Sequence, residues 1–539
     1  MHRKFLVISA SRFARIRGAR WKAARMPTKD FVLAWEMFYP CSMSQALNGN
    51  GNSHDSSVVV PALTKPREPA SREAHVTFKT VEGEALRAAL GRMTQHTATF
   101  VCYNLNTILN VSEVLNEFSI NFHGRTVYFG RAVVCSLVDT GGKAVCEVTL
   151  NEAHWLKGDS EALTKGSGRI AEEFNKFLQE WQKSYLVSPD FKLVVADMQT
   201  FLHDLQLWLD HVDLSMKSAV RAKGTDPKEE IVSRLAQAAI PAINALFERF
   251  EQAAKAVSHE HRAAHASYMR QHLHPLLLCV PFANRTFEKP RGYAGDYEMV
   301  NMIIRNGFEG PSLFAKILHA WFVNQPPAAA HRNRIQYLAN SIERESLRIM
   351  RSGQTARIFN FACGPAAEIR ELIKARSNHA RIDFTLADFD EETLEYVRRS
   401  VRQTDGRLPA NIAINLIKKS VQQLLKERRR PVLGEADQFD LVYCAGLFDY
   451  LPDTTCTALM DAFYDMVVPG GLLIATNVEP ANPLRYGMEY LLDWHLIYRN
   501  EKQMQRLYPN AASAHDICVR TDATGVNLFL EVRKPVHGK

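Results

Sequence analysis

Hydrophobic and polar positions alternate with different periods along the chain, and the changes in period divide it into four parts. Residues 1–75 are rich in Asn, Gly, Ser and Pro and carry no apolar pattern, so we expect a disordered basic arm and linker. From 76 to 160, short stretches such as "HVTFKTV" and "KAVCEVTL" alternate apolar with polar residues, which predicts a small all-β module. From 165 to 350, apolar residues recur every three or four positions, which predicts an α-helical domain.

The fourth part, residues 355–539, alternates strand and helix patterns and predicts an α/β, Rossmann-like sheet of seven strands. The apolar strand "ARIFNF" leads into a turn at Gly364 and a helix, and a second strand, "RIDFTLAD", ends at Asp388. Further strands are expected at "NIAINLI", at "FDLVYC", after the turn "VPGG", and in a C-terminal hairpin. The chain is therefore expected to be multidomain, with an all-β, a helical and an α/β part.

The turn at Gly364 and the acid at Asp388 have a joint chemical use. A glycine turn lets the backbone and a helix N-terminus approach a ligand, and an acid that ends the next strand accepts hydrogen bonds from ribose hydroxyls. A nicotinamide dinucleotide is the competing ligand, but its pyrophosphate requires glycines at positions where this chain has Ala362 and Ala366. A cofactor with adenosine and without pyrophosphate suits the turn better.

In these features residues 355–539 resemble class I S-adenosylmethionine-dependent methyltransferases. The glycine turn, the acid ending strand two, the strand "FDLVYCAGLFDYL" and the "PGG" turn occur in the family's order, and the family's first motif, E/DxGxGxG, starts here at Asn360. The resemblance implies S-adenosylmethionine as the cofactor, with Ser420 and Val421 at its adenine. The cofactor-binding residues that it implies are Asn360, Ala362, Gly364, Asp388, Ser420, Val421 and, beneath the methionine part, Cys444, Ala445 and Gly446.

Three further stretches are similar to the bacterial family of extracellular factor 3-hydroxypalmitate methyl ester biosynthesis proteins over residues 165–539: "KPRGYAGDYEMVN", "GLFDYLPD" and "NVEPANPLRYGMEYLLDWHLIYRNEKQMQRLYP". This similarity implies methyl transfer to the carboxylate of a hydroxy fatty acid or a related small acid. The residues that could orient such a carboxylate are Arg291, Tyr293, Tyr450, His495 and Arg485. A hydroxyl or amine acceptor would instead need a base, for which the candidates are His495, Asp296 and Asp449.

Residues 288–301, "EKPRGYAGDYEMVN", interrupt the helical pattern with two glycines. Class I enzymes that act on small molecules often cover the cofactor with a segment that precedes the first strand. We therefore interpret this segment as a lid, in which the glycines allow folding over the strand ends and Arg291 and Tyr293 meet the cofactor carboxylate or the acceptor. Asp296 is expected to cap the next helix. A simple linker between helices is the alternative.

The β module resembles PilZ-like barrels, which read cyclic dinucleotides through an RxxxR and a D/NxSxxG motif. Here "EFSINF" resembles the second motif with Phe122 in the glycine position, and RxxxR is missing. A structural or docking role is therefore favoured over ligand binding.

The distribution of charge along the chain indicates which classes of binding partner to expect. Residues 1–30 hold nine basic residues and one acid, which account for the whole net charge of +8. We favour an extension upstream of a start at Met43 over a transit peptide or a nucleic-acid arm. The neutral remainder, and the lack of a D/NPPY motif after strand four, disfavour nucleic-acid partners. We expect a small-molecule or fatty-acid substrate.

Cysteine and histidine spacing bears on location and metal binding. The nine cysteines lack CxxC spacing and indicate a reducing, cytoplasmic compartment, and no apolar run reaches the roughly 20 residues of a membrane span. His261 and His265 have metal-ligand spacing without a suitably placed third ligand, so we expect a solvated helix face and no metal site. Two alternatives stay open: methylation of another small molecule or of RNA, and a non-catalytic regulator whose altered first motif no longer binds the cofactor.

Overall fold

The computed structural model describes residues 74–102, 109–122, 125–139, 144–155, 187–223, 228–375, 380–403, 408–428 and 438–536. All of them lie in one compact unit, Ala70–Lys539. The amphipathic segment "IAEEFNKFLQEWQKSYL" and the predicted arm, apart from its last two residues, lie outside the described ranges.

The N-terminal part of the described chain is a closed barrel of six strands in the order β1-β2-β3-β6-β5-β4. Alternate side chains point inward, and the rings of Phe78, Phe100 and Phe118 pack within it at centroid distances of 5.2–6.0 Å. The prediction of a small all-β module is confirmed. The strands are β1 (His75–Lys79), β2 (Ala85–Met93), β3 (Thr97–Cys102), β4 (Val114–Phe122), β5 (Arg125–Asp139) and β6 (Ala144–Leu150).

The middle of the chain is helical, as predicted. Its core, which includes Phe191, Phe250 and Trp321, continues without a break into Tyr490 and Trp494 of the α/β part, so the two parts share one apolar interior. The helices are α1 (Pro189–Lys223), α2 (Lys228–Lys255), α3 (Arg262–Leu277), α4 (Pro281–Glu288), α5 (Tyr297–Arg305), α6 (Leu313–Val323) and α7 (Pro326–Met350).

The C-terminal part is a mixed sheet of seven strands in the order β12-β13-β11-β10-β7-β8-β9. All pairs are parallel except those of β13, which runs antiparallel between β11 and β12. The strands are β7 (Ala356–Phe361), β8 (Ile382–Asp388), β9 (Ile412–Lys418), β10 (Phe439–Cys444), β11 (Val467–Val478), β12 (Ile517–Thr521) and β13 (Asn527–Arg533). The helices are α8 (Ala367–Ala375), α9 (Glu391–Gln403), α10 (Val421–Arg428), α11 (Asp453–Met466), α12 (Arg485–Leu491) and α13 (Glu501–Gln505).

Two local expectations are wrong. The "VPGG" stretch is not a turn before the fifth strand but an irregular part of β11, where a Cβ on Gly471 would lie 2.9 Å from the carbonyl oxygen of Asp440. His265 is not on a solvated face: it is buried, its Nδ1–H donates to the His261 carbonyl oxygen at 2.8 Å, and its Nε2 accepts from the Ser188 amide at 3.1 Å. Both ring nitrogens are therefore occupied within the protein.

Within the described ranges, no helix combines the length and the apolar character that a membrane crossing requires.

A second buried histidine in the helical core generates a stability prediction. His319 on α6 is fully buried, and neither ring nitrogen has a hydrogen-bond partner among the described residues. Because an unsatisfied buried polar group costs about 1–3 kcal/mol, we expect His319→Leu to raise the free energy of unfolding by about 1–2 kcal/mol, measured by urea denaturation. His265→Leu is the matched control, since it breaks two hydrogen bonds and should lower stability. Loss of stability in both variants would contradict the prediction.

Candidate active site

A cavity of about 230 Å³ lies at the carboxyl ends of β7, β8 and β10. Eleven of the residues singled out from the sequence line it, and they come from distant parts of the chain. These are Tyr293, Asn360, Ala362, Gly364, Asp388, Ser420, Val421, Ala445, Gly446, Asp449 and Tyr450. The fold therefore brings most of the predicted site together.

The turn between β7 and α8 keeps a glycine-like backbone although two of its three relevant positions are alanines. Ala362, Gly364 and Ala366 have φ values of +57°, +50° and +48°. A Cβ on Gly364 would meet no atom within 4 Å, so this position opens onto empty space. Left-handed backbone costs a non-glycine residue roughly 1–2 kcal/mol, and the rest of the structure maintains that strain here.

Asp388 holds this turn to the end of β8. Its buried carboxylate accepts hydrogen bonds from the amides of Gly364 at 3.1 Å and Asp390 at 3.0 Å. Burial raises the pKa of the Asp388 carboxyl to about 6, and the two amide donors oppose that shift.

Residues 288–301 pass directly over the end of β8. Gly292 and Gly295 have φ values of +82° and +78°, and the Asp296 side chain caps α5 by accepting from the amides of Glu298 and Met299, which confirms the expected cap. Tyr293 lines the cavity and donates to Asp390 at 3.3 Å. Arg291 does not line the cavity.

Arg291 instead forms an ion pair with carboxylates at the start of α9. Its Nε donates to Asp390 at 3.0 Å, and its two terminal nitrogens donate to Asp390 and Glu392. This pairing, with hydrogen bonds from the Glu392 amide and Thr393, lowers the pKa of the Asp390 carboxyl although burial opposes it. Arg291 therefore ties the segment 288–301 to the sheet.

Three other predicted residues also lie away from the cavity lining. Arg485 forms an ion pair with Glu489. His495 follows the end of α12, and its Nε2 bonds to the buried carboxylate of Asp493 at 2.9 Å. Cys444 is fully buried in the apolar core beside the sheet, where burial raises the pKa of its thiol. Tyr450 does line the cavity, and its hydroxyl oxygen accepts from Trp494 Nε1 at 3.0 Å, which leaves its proton available to a ligand.

The buried side chains of Asn360, at the end of β7, and Glu368 bring hydrogen-bond acceptors to the cavity. Glu368, in the first turn of α8, accepts from Asn360 Nδ2 at 3.1 Å and from the Tyr443 hydroxyl at 2.7 Å. Asn360 Oδ1 is buried without a hydrogen-bond partner in the described structure. Burial raises the pKa of the Glu368 carboxyl. The sequence pattern did not single out Glu368, although it lies eight residues after Asn360 and in the first turn of the helix that follows the glycine turn.

The buried guanidinium of Arg334, on α7, faces Asn360 and Glu368. Arg334 is 8% exposed, lines the cavity, and lies against Gly446, whose Cβ would be 3.0 Å from Arg334 Nη1. Among the described residues it has no hydrogen-bond or ion-pair partner, although its charge lowers the pKa of Glu368 against the larger effect of burial. A buried arginine without an ion pair is unusual, because the cost of burying its charge is offset here only by the attraction of the nearby carboxyl groups of Asp449 and Glu368.

His331 lies one turn before Arg334 and also lines the cavity. Its Nδ1–H donates to the Pro327 carbonyl oxygen at 3.0 Å, which leaves Nε2 as an acceptor with no partner in the described part of the chain. Burial and the Arg334 charge lower the pKa of His331 to about 3. The pattern of α7 predicted only an amphipathic helix, and nothing in it signals that this face meets a cavity.

The remaining wall is apolar and comes mostly from the helical part and from α12. It includes Phe247, Phe282, Val300, Ile303, Trp321, Phe322, Leu484 and Met488. The cavity therefore has a charged end at β7 and β10 and an apolar end. No cluster of three or more His, Cys, Asp or Glu side chains that could hold a metal ion occurs in the described ranges.

Comparisons with known proteins give only distant similarities. No family model and no curated protein matches the chain. A possible exported protein from Bordetella parapertussis is 16% identical with a TM-score of 0.35, covering 47% of this chain and 86% of that one. Magnesium protoporphyrin IX methyltransferase from Synechocystis, with bound SAH, is 11% identical with a TM-score of 0.27, covering 38% and 84%.

N-methyltransferase NodS from Bradyrhizobium japonicum, in complex with S-adenosyl-L-homocysteine, is 18% identical with a TM-score of 0.26, covering 39% of this chain and 89% of that one. Since all these TM-scores are low, the function proposed below rests on the residues of this chain.

The alanines in the turn generate a prediction. Because glycine adopts positive φ without steric cost, Ala362→Gly should relieve more strain than it adds in chain entropy and should raise the free energy of unfolding by about 0.5–1 kcal/mol. Ala339→Gly, in the middle of α7, is the matched control and should lower it by about 1 kcal/mol. Urea denaturation of both variants measures the difference, and an equal loss in the two would show that the turn is not strained.

Proposed function

We propose that this chain is an S-adenosylmethionine-dependent methyltransferase that acts on a small acid with an apolar body. The observation that carries the proposal is the unpaired buried guanidinium of Arg334 opposite the acceptor oxygens of Asn360 and Glu368. The methionine part of the cofactor is a zwitterion, and such a group matches this arrangement. Arg334 would pair with its carboxylate, and Asn360 Oδ1 and Glu368 would accept from its ammonium group.

The adenosine part of the cofactor would lie along the same edge of the sheet, at the ends of β8 and β9. Asp388 would accept from the ribose hydroxyls, the open face of Gly364 would admit the ligand, and Ser420 and Val421 would flank the adenine. When bound, the cofactor supplies an electrophilic methyl group on its sulfonium. The low pKa of Asp390, maintained by Arg291, keeps that neighbouring carboxylate ionised and paired with the segment 288–301.

We further propose that the methyl acceptor is a carboxylate, as the similarity to the 3-hydroxypalmitate methyl ester family implies. A carboxylate is already nucleophilic at neutral pH, so alignment and exclusion of water would do most of the catalytic work. Tyr450 supports this, since its hydroxyl proton is available to orient an acceptor oxygen. The aromatic and aliphatic wall would hold an alkyl chain. The segment 288–301 would act as the lid that excludes water.

His331 favours a second candidate, an acceptor that carries an O–H or N–H group. A neutral Nε2 cannot hydrogen-bond an ionised carboxylate, but it can accept from a hydroxyl or amine and receive its proton. The two candidates differ in product. With methyl-labelled cofactor and a cell extract, an ester loses its label as methanol in mild alkali, whereas an ether or a methylamine retains it.

The cysteines in the described part of the chain are all free thiols. This supports the proposal of a reducing, cytoplasmic location.

The cofactor assignment predicts the effect of two substitutions on affinity for S-adenosylhomocysteine, measured by calorimetry. Asp388→Asn should weaken binding about tenfold and Arg334→Met ten- to a hundredfold, because each removes a hydrogen bond to or from a charged group. Arg344→Met is the control on the same helix, since Arg344 is 56% exposed and lies near Glu345 and Glu531. Equal affinity in all variants would refute the site, and no binding by the unchanged protein would favour a non-catalytic regulator.

The lid assignment predicts a kinetic effect. Arg291→Met removes the ion pair that ties the segment to α9, so label transfer from the cofactor to an extract should slow about tenfold. The protein should stay folded with a lower thermal midpoint, because the buried Asp390 carboxylate loses its partner. Arg305→Met is the control, because Arg305 pairs with Glu298 and Glu309 without reaching β8 or α9. Unchanged transfer in Arg291→Met would make the segment a linker.

A further inference from the structure

The barrel forms part of the wall of the proposed cofactor cavity. Val81 and Glu82, in the turn between β1 and β2, and Asn110, before β4, line the same cavity as Gly364 and Asp388. Nothing in the sequence of the barrel indicates this contact, because the two sets of residues are more than 250 positions apart.

These barrel loops are firmly positioned. The carboxylate of Glu113, 1% exposed, accepts from the amides of Val81 and Asn110, both at 2.9 Å. The Val114 amide donates to the Gly292 carbonyl oxygen at 2.7 Å, and a Cβ on Gly292 would lie 2.8 Å from Val81 Cγ2. The turn between β1 and β2 therefore lines the cavity and also packs against the lid segment 288–301.

The barrel also contacts the loops that follow β10 and α12. The Val111 amide donates to the Tyr450 carbonyl oxygen at 3.1 Å. The Ser112 hydroxyl donates to the His495 carbonyl oxygen at 2.8 Å, and the His495 amide donates to Ser112 Oγ at 2.6 Å. These contacts determine the position of the β1–β2 turn over the strand ends.

Glu82 brings a carboxyl group to the segment that follows β9. It lines the cavity together with Ser420 and is attracted by the charge of Lys426, although much of the residue remains exposed to solvent. The segment itself, Lys418 to Gln422, contains no acid. Adenine presents an amino group that donates hydrogen bonds, and a ligand beside Ser420 would have the Glu82 carboxylate of the barrel available as an acceptor.

We infer that Glu82 accepts a hydrogen bond from the adenine amino group of the cofactor, so that the barrel completes the adenine site. The inference rests on the proposed function. It assigns the barrel a part in cofactor specificity, since only a ligand with an amino group at that position can donate to the carboxylate. A ligand with a carbonyl oxygen there would face the carboxylate with lone pairs and bind less well.

The test compares S-adenosylhomocysteine with S-inosylhomocysteine, in which a keto oxygen replaces the adenine amino group. Calorimetry on the full chain should show roughly tenfold tighter binding of the adenosyl compound. Glu82→Ala should weaken binding of the adenosyl compound roughly tenfold and leave binding of the inosyl compound unchanged or stronger. Glu84→Ala is the matched control, because Glu84 belongs to the same turn and does not line the cavity.

The outcomes separate this inference from the function on which it rests. Unchanged binding of the adenosyl compound by Glu82→Ala, or an equal loss for both compounds, would overturn the role of Glu82 while the methyltransferase proposal stands. No binding of the adenosyl compound by the unchanged protein would overturn both. Thermal midpoints of the two variants close to the original exclude unfolding as the cause of lost binding.

Discussion

The carboxyl edge of the sheet depends on how the buried carboxylate of Asp388 is satisfied. It accepts from the amide of Gly364 in the turn after β7 and from the amide of Asp390 at the start of α9. Asp390 in turn accepts from Arg291 and Tyr293. Because an unsatisfied buried carboxylate is costly, these bonds connect the turn, the strand end and the segment 288–301 into one unit. Movement of any one of them disturbs the other two.

Several of the local structural costs in the described chain lie around the same cavity. Ala362 and Ala366 have left-handed backbone, Asn360 Oδ1 has no partner in the described structure, and Arg334 is a buried cation without an ion pair there. Each feature would be cheaper if replaced, and a fold selected for stability alone would not collect them in one place. A zwitterionic adenosine cofactor would satisfy the polar groups, which is the physical basis of the proposed function.

Three parts of the chain that look separate in sequence close on this one cavity. The sheet supplies the charged end, the helical part supplies the apolar end together with Arg334 and His331, and the barrel supplies Val81, Glu82 and Asn110. The helical and α/β parts also share a continuous apolar core. The barrel therefore forms part of the cavity wall and is not a separate attached module.

The periods of the apolar pattern determined the element types, and the order of strands with Gly364 and Asp388 determined the sheet and the edge at which the cavity lies. These features are readable because they depend on neighbours in sequence, as does the cap at Asp296. Arg334, His331, Glu368 and Glu82 could not be identified this way. Their roles arise from which face of a helix or turn meets the cavity, and that depends on packing between distant segments. For the same reason, the sequence could not show that Arg291 pairs with Asp390 and His495 with Asp493, away from the cavity lining.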